Sequence, residues 1–271
     1  FIPVSVPVMD LSAASETADT TYYDMIHKDC QKDEAADFRV KKYQLDFSMG
    51  LNLTGRAKVY VDRSELKSYR FTLYHGYKVK QVTDQTGAAL DFRREYDYVT
   101  VTRGGAAVEY LCLEYTGKSP KYYSSYAGVC LPANFAYYPI PGYRELFKDN
   151  FYGFIDCSLP YDTAFDVRCS GRKQMYCNLA ARGDNHFAGN ARSITLLSGY
   201  YDTLKLNDTL VVYPKYADGE IQARIKKNMG TFTKQHRDIH TIFIMGADNL
   251  TPYEHLRSYD GYVVTNSMID M

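Results

Sequence analysis

The sequence predicts a mainly β protein, an antiparallel β-sandwich followed by a partial α/β segment. Apolar and polar residues alternate with a period of two in several short runs, which is typical of half-buried strands. The runs between residues 40 and 117 follow one another so closely that no crossover helix fits between them, so the sheets must be largely antiparallel. Beyond residue 218 the period becomes that of an amphipathic helix, which indicates a second kind of structure.

The clearest alternation opens the sandwich. Tyr43, Leu45, Phe47 and Met49 alternate with polar residues, so the four side chains share one face of an extended strand. Turn residues separate this run from later ones with the same pattern. Those later runs lie at 57–61, 69–73, 79–83, 90–92, 99–101 and 111–115, and the clearest breaks at 84–87, 95–97 and 104–105.

Three parts follow one another along the chain in this interpretation. Residues 1–36 form a leader segment with a short helix that begins near Asp19 or Thr20, where Ser, Thr and Asp side chains can cap it. Residues 37–217 form the β-sandwich domain, and residues 218–271 form the start of a second, α-containing domain that is truncated. Strands of the sandwich resume at 164–169, 174–179, 193–197 and 209–213.

The second part is predicted from an apolar stripe with helical spacing, followed by further short elements. A strand is expected at 241–245, a capping box at 251–254 opens a second helix, and a last strand lies at 261–264. The stripe consists of Ile221, Ile225, Met229, Phe232 and His236.

Charge and hydropathy exclude two classes of partner. The chain of 271 residues carries 32 basic and 32 acidic side chains, so no summed field attracts nucleic acid or anionic lipid. No run approaches the roughly 18 apolar residues of a membrane span, so membrane contact is expected only through segments outside this chain. The apolar start Phe1-Ile2-Pro3-Val4, which lacks an initiator Met, suggests an upstream signal peptide or anchor and therefore an extracytoplasmic location.

The aromatic composition leaves two interpretations open. The chain has 27 Tyr, 13 Phe and no Trp. Tyr combines an apolar ring with a polar tip, which suits a ligand-binding face but also suits the strands of a β-rich core.

The six cysteines form no C-x-x-C motif, which argues against a zinc ribbon or a thioredoxin-type site and leaves a disulfide open. Cys169 and Cys177 lie on alternating faces and are expected in the core.

The candidate ligand-facing residues lie in and beside a loop rich in Pro and Gly. Residues 121–142 lose the alternation, and such loops either carry function on a rigid scaffold or simply connect two sheets. The candidates from this region are Tyr137, Tyr138, Tyr143 and Arg144.

No catalytic or metal-binding residue is predicted in this chain. His236 and His240 have the spacing of metal ligands, but Arg237 follows the first of them and would oppose a bound dication. His240 also falls where the helix gives way to the next strand, so the two imidazoles need not share a face. Neither a nucleophile elbow nor a phosphate-binding glycine loop is present.

The order of these signals resembles the aminopeptidase N family of zinc metallopeptidases. The segments that carry the resemblance are Lys42-Tyr43-Gln44-Leu45-Asp46-Phe47, the pair at 69–74 and 79–82, residues 90–95, and Tyr137-Tyr138-Pro139. The closest type is the bacterial membrane-anchored one, often fused to an ABC-transporter permease. The resemblance covers residues 40–213 and, more loosely, 218–271, and it implies zinc in a longer parent chain only.

Departures from the family pattern bear on mechanism. The zinc-binding H-E-x-x-H is absent, so the chain is expected to be inactive alone. The amine anchor of the family would fall near 129–131, where no Gln or Glu is present, and its G-x-M-E-N strand near 266–270, where only Met268 matches. We therefore expect a non-catalytic domain that caps or positions a peptide substrate and contacts the remainder of its parent chain. The alternative is an extracellular peptide- or glycan-binding, or transporter-regulating, sandwich without peptidase activity.

Overall fold

The computed structural model gives a mainly β fold, as the sequence predicts. The predicted leader helix near Asp19 and the predicted capping box at 251–254 both lie outside the described residues. The residues that the structure describes are 32–50, 52–118, 128–133, 136–145, 157–171, 173–215, 217, 219–245 and 256–265.

Nineteen strands and one helix lie in this described part of the chain. The strands are β1 (Val40–Met49), β2 (Leu53–Val61), β3 (Ser68–Thr72), β4 (Tyr77–Thr83), β5 (Phe92–Glu95), β6 (Tyr98–Thr102), β7 (Tyr110–Gly117), β8 (Gly128–Leu131), β9 (Ile140–Pro141), β10 (Thr163–Ser170), β11 (Gln174–Cys177), β12 (Ala180–Gly183), β13 (His186–Ala191), β14 (Leu196–Gly199), β15 (Tyr201–Leu206), β16 (Thr209–Pro214), β17 (Thr241–Ile244), β18 (Leu256–Tyr259) and β19 (Tyr262–Thr265). The helix, α1, spans Gly219–Gln235.

A seven-stranded sheet forms one wall of the sandwich, in the order β12-β13-β10-β1-β2-β7-β4. Its inner face carries the predicted alternation, because Tyr43, Leu45 and Phe47 are buried and Met49 is half-buried on the same side. All its pairings are antiparallel except that of β1 with β10, which is parallel. The predicted, largely antiparallel arrangement is therefore confirmed.

Two smaller sheets face this wall. The four-stranded sheet has the order β5-β6-β3-β9 and the three-stranded sheet the order β11-β14-β8. Tyr69, Phe71 and Val99 of the four-stranded sheet join the same apolar core as β1, as do Met175 and Leu196 of the three-stranded sheet. The core therefore lies between the large sheet and the two smaller ones, as in a β-sandwich.

Several elements differ from the sequence-based expectation. The run predicted at 90–92 gives only the first residue of β5, since Leu90 precedes the strand and the pairing extends to Glu95. Part of the predicted loop forms the short strands β8 and β9. The strands β12, β13, β15 and β18 were not predicted. The residues of β12 are exposed at a sheet edge, those of β13 and β15 alternate only weakly, and β18 lies where a second helix was expected after the capping box.

A five-stranded mixed sheet follows the sandwich, in the order β15-β16-β17-β19-β18. The strands β16, β17 and β19 run parallel, and α1 makes the crossover from β16 to β17. The predicted amphipathic stripe is present, since Ile225 and Met229 are buried, Ile221 and Phe232 are partly buried, and His236 is exposed. The sequence interpretation placed a domain boundary after residue 217. The paired strands β16 and β17 lie on opposite sides of this boundary in the chain, and the boundary stays a prediction.

Both faces of the five-stranded sheet are covered. Phe243 and Val264 pack toward the three-stranded sheet, where they meet Leu197. The alternate residues Ile242 and Val263 pack against α1. Every residue of β17 is therefore buried, as in a strand between two layers. No helix of the described residues is long and apolar enough to cross a membrane.

Candidate functional site

The predicted ligand-facing residues separate into a buried pair and a surface pair. Tyr137 and Tyr138 lie in the sandwich core with 0% and 1% of their surface exposed. Tyr143 and Arg144 follow β9 and are half-buried at the surface. Met268 lies outside the described residues. Of the four candidates that the structure describes, two lie at the surface, and a binding role for the whole set stays a prediction.

Buried tyrosines fix the backbone of the loop that contains Tyr137. Tyr43 donates its phenolic hydrogen to the carbonyl of Pro139, and Tyr115 donates to the carbonyl of Tyr137, both at 2.8 Å. Tyr137 in turn donates to the carbonyl of Ile194 at 2.8 Å. These bonds satisfy loop carbonyls that would otherwise be buried without a partner. The abundance of Tyr is therefore explained in part by core tyrosines that bond to backbone.

Desolvation affects the acidity of these same phenols. Burial raises the pKa of Tyr43, Tyr115 and Tyr137 well above its ordinary value, because a phenolate would lose its hydration without gaining a cation. Neighbouring phenols raise the pKa further in each case. These side chains are consequently neutral hydrogen-bond donors at physiological pH and not acid–base catalysts.

The surface pair contacts the chain's own residues 32–37, which we call the strap. The backbone N–H of Glu34 donates to the carbonyl of Tyr143 at 2.8 Å, and the N–H of Tyr143 donates to the carbonyl of Glu34 at 2.9 Å. The Arg144 guanidinium lies 3.6 Å from the Asp33 carboxylate. The strap therefore extends the four-stranded sheet beyond β9 by one antiparallel bridge.

Arg70, on β3, holds the strap through its side chain. Its guanidinium donates to the carboxylates of Glu34 and Asp37, at 2.6 and 3.0 Å. The same guanidinium lies 5.6 Å from the centre of the Tyr143 ring, within the range of a cation–π contact. A planar fork that reaches two carboxylates gives this contact a defined geometry. Sequence reasoning did not find Arg70, because 36 residues separate it from Glu34.

Lys32 places a second cation beside the same aromatic group. Its ammonium lies 5.9 Å from the Tyr98 ring centre, 5.5 Å from that of Tyr143 and 3.9 Å from the Glu95 carboxylate. The Lys32 backbone N–H donates to the Tyr98 hydroxyl at 2.6 Å. Two tyrosine rings and a carboxylate thus surround one ammonium group on the outer face of the four-stranded sheet.

A histidine held by a buried carboxylate lies at another edge of that sheet. Asp97 is 6% exposed, and one of its oxygens accepts the His75 backbone N–H at 2.6 Å and lies 3.1 Å from His75 Nδ1. A carboxylate beside Nδ1 fixes the orientation of the imidazole ring. The sequence offered no signal for this pair, because 22 residues separate its members. A second, more exposed pair joins His186 Nε2 and Asp166 at 2.9 Å.

The two histidines with metal-ligand spacing lie on different elements. His236 follows α1 and stacks on Phe232, with ring centres 4.3 Å apart. The backbone N–H of His240 donates to the carbonyl of Gly261 in the turn between β18 and β19. Within the part of the chain that the structure describes, no three His, Cys, Asp or Glu side chains form a group that could hold a metal ion.

The described cysteines are free thiols, and no disulfide joins any of them. Burial raises the pKa of Cys169 and of Cys177 to about 12, so both thiols stay protonated at neutral pH. A protonated thiol is a poor nucleophile and a poor metal ligand. The structure therefore assigns Cys177 to the core, as the sequence predicts, and leaves Cys169 partly exposed.

Comparisons with solved structures identify the fold. The chain superposes on yeast LTA4 hydrolase in complex with Bestatin with a TM-score of 0.60 at 11% identity, over 84% of this chain and 40% of that one. It superposes on a mutant M1 zinc metallopeptidase from Deinococcus radiodurans, bound to a Tyr-Ser-Ala substrate, with a TM-score of 0.51 at 13% identity. That match covers 88% of this chain and 63% of the other. No family model and no curated protein matches the sequence.

These similarities show the fold and no more. The chain spans about 40% of the length of the LTA4 hydrolase that it matches. Its β-rich architecture resembles the N-terminal domain of M1 metallopeptidases, which belong to the aminopeptidase N family that the sequence order resembles.

Proposed function

We propose that this chain is the non-catalytic N-terminal β domain, with the first elements of the following domain, of an M1 metallopeptidase-like protein. In this proposal it caps the peptidase cleft of a longer parent and helps to position the peptide substrate. The observation that carries the proposal is the two-part architecture. The chain contains a sandwich and a mixed sheet with a crossover helix, and its superposition on one M1-type structure covers 84% of its residues.

The chemistry of hydrolysis is assigned to the parent and not to these residues. Zinc peptidases of this kind need two histidines one helical turn apart and a glutamate base, and the sequence contains no H-E-x-x-H. His236 and His240 do not replace it, since one follows the helix and the other contacts a turn between strands. Zinc is therefore proposed only for the longer parent chain.

The proposal also covers the binding partners and the cellular location of the chain. We propose peptide substrate and the remainder of the parent chain as partners, and an extracytoplasmic location with anchoring by a segment outside this chain. Linkage to an ABC-transporter permease in a bacterial protein belongs to the same proposal. The support is the resemblance to the membrane-anchored type of the family, together with a net charge of zero that favours neither nucleic acid nor anionic lipid.

An assay of residues 1–271 tests the catalytic part. The purified chain, supplied with zinc, should release no fluorophore from aminoacyl reporter substrates. Zinc-dependent cleavage that a chelator abolishes would refute the proposal. The reading frame beyond Met271 tests the parentage: H-E-x-x-H with a downstream Glu supports it, whereas membrane-spanning runs alone favour a transporter-linked scaffold.

One observation favours the alternative of a binding module without an active peptidase. Tyr143 and Arg144 lie half-buried at the surface, and the Tyr143 ring lies close to the cations of Lys32 and Arg70. A peptide and glycan array probed with the labelled chain tests this alternative. Specific binding that is lost on Tyr143→Ala, with no peptidase motif downstream, would support it over a capping domain.

A further inference from the structure

The strap is held almost entirely by polar contacts. Asp33, Glu34, Ala35 and Asp37 are exposed, and the small side chain of Ala36 is the one apolar group of the strap that packs against the core. The first fully buried apolar residue after the strap is Phe38. Burial of apolar surface therefore contributes little to its attachment. Exposed ion pairs are individually weak, so the strap depends on several such contacts acting together. A segment held in this way can exchange without unfolding the core below it.

The surface under the strap is shaped for extended backbone. Gly142 has a φ of +87° and lies directly beneath the strap. A Cβ at this position would lie 2.6 Å from the Glu34 carbonyl oxygen and 2.9 Å from the Ala36 nitrogen. The carbonyl and N–H of Tyr143 provide a two-bond ladder to one residue of the occupant. Addition of an extended segment to a sheet edge is a recurrent mode of peptide recognition.

Charge selects the kind of segment that fits. The strap carries three carboxylates and one ammonium in the sequence Lys-Asp-Glu-Ala-Ala-Asp. Two guanidinium groups of the surface contact these carboxylates, since Arg70 pairs with Glu34 and Asp37 and Arg144 pairs with Asp33. A third, that of Arg63, donates to the backbone carbonyl of Asp37. Arg70 thus contacts two carboxylates that lie three residues apart in the strap. At the amino end of the strap, the Lys32 ammonium lies near the Tyr98 and Tyr143 rings.

We propose that Arg70, Gly142, Tyr143 and Arg144 form a recognition groove for an extended acidic segment, and that the strap is its built-in occupant. An acidic segment of another polypeptide with carboxylates at the same spacing would use the same contacts once the strap is displaced. This groove is independent of peptidase parentage. It requires only the four-stranded sheet and its edge.

The test uses the full chain and a labelled peptide that covers residues 31–39. The double variant Glu34→Lys/Asp37→Lys places two cations opposite Arg70 and should release the strap. Hydrogen exchange at the amide of residue 34 should then accelerate by at least about tenfold, since its bond to Tyr143 opens. An attached strap competes at an effective concentration in the millimolar range, so the peptide should bind the double variant at least about tenfold more tightly than the intact chain.

Three controls isolate the groove. Adding Arg70→Ala to the double variant should abolish peptide binding, and a peptide with Lys at the positions of Glu34 and Asp37 should not bind. Arg56→Ala removes a comparable exposed ion pair to Glu114 on the large sheet and should change neither readout. Unchanged exchange in the double variant would overturn the inference, because the ion pairs would not hold the strap. Faster exchange without binding, or equal binding of both peptides, would overturn the recognition of acidic segments.

Discussion

Alkaline pH should unfold this protein through its buried phenols. Tyr43, Tyr115 and Tyr137 are each fully buried, and each donates its phenolic hydrogen to a backbone carbonyl at 2.8 Å. Ionisation would remove the donated hydrogen and place a charge in the core. Burial accordingly raises the pKa of all three above the ordinary value near 10.

The direction and size of the effect follow from proton linkage. In the unfolded chain these phenols lose their protons near pH 10, whereas the folded chain retains them, so above this pH the unfolded state binds fewer protons. The free energy of unfolding is therefore unaffected by these groups below about pH 10 and falls above it by about 1.4 kcal/mol per pH unit for each phenol. Three phenols give about 4 kcal/mol per pH unit for as long as the folded chain keeps all three protons. The loss over one pH unit is thus close to the lower end of a typical total stability of about 5–15 kcal/mol.

Urea denaturation at a series of pH values from about 8 to 12 measures this slope, and absorbance near 295 nm follows phenolate formation. Tyr137→Phe should reduce the slope by about 1.4 kcal/mol per pH unit, which is the contribution of one linked proton. At neutral pH the same variant should lose about 1–3 kcal/mol, because the Ile194 carbonyl is left buried without its donor. Tyr200→Phe, at a ring that is 60% exposed, is the matched control and should change neither quantity. A folded chain whose 27 tyrosines all ionise in one step near pH 10 would refute the reasoning.

Three further substitutions test the packing. Gly117→Ala should prevent folding or lower the melting temperature by more than about 10 °C, because a Cβ would collide with the backbone carbonyl of Gly76; a melting temperature near that of the wild type would contradict this. Asp97→Ala removes a buried acceptor from two bonds and should cost about 1–3 kcal/mol in urea denaturation, whereas a loss below about 0.5 kcal/mol would assign the carboxylate no structural role. Met229→Ala should cost about 2–5 kcal/mol on the same scale, while Lys227→Ala on the exposed side of α1 should stay within about 0.5 kcal/mol; equal losses would mean that the helix does not pack as described.

Alternation predicted the strands that have one wet face, and it failed where that condition is absent. Residues 43–49 satisfy it, since one face of β1 contacts the core and the other faces solvent. The alternation pattern does not predict which strands pair with each other. Nothing in the sequence of β1 indicates a parallel neighbour whose first residue, Thr163, lies 123 residues beyond Val40. Register of this kind is decided by which side chains fill the same core, and a local pattern does not contain that information.

The candidate site shows the same division between local and distant information. Loop composition drew attention to the region around Tyr143, and the structure shows that the side chains around this residue come from β3, β6 and the strap. Gly142 carried a partial signal, because a glycine beside prolines often marks a backbone conformation that other residues avoid. The acidic run at 33–37 was visible as well. Only the fold reveals that Arg70 contacts both the acidic run and the Tyr143 ring.

A shared core limits how a capping function could operate. Leu197 of the three-stranded sheet and Phe243 of the five-stranded sheet belong to one apolar cluster. The Tyr262 hydroxyl lies 3.0 Å from the Ser193 hydroxyl within that buried layer. Separating the two sheets would expose apolar area and would leave the Ser193 and Tyr262 hydroxyls without each other as hydrogen-bond partners. Both changes cost free energy. If the chain positions a peptide for a parent enzyme, these two sheets therefore act as one rigid support. Any motion that admits substrate must then arise at the surface loops or in parts of the parent outside this unit.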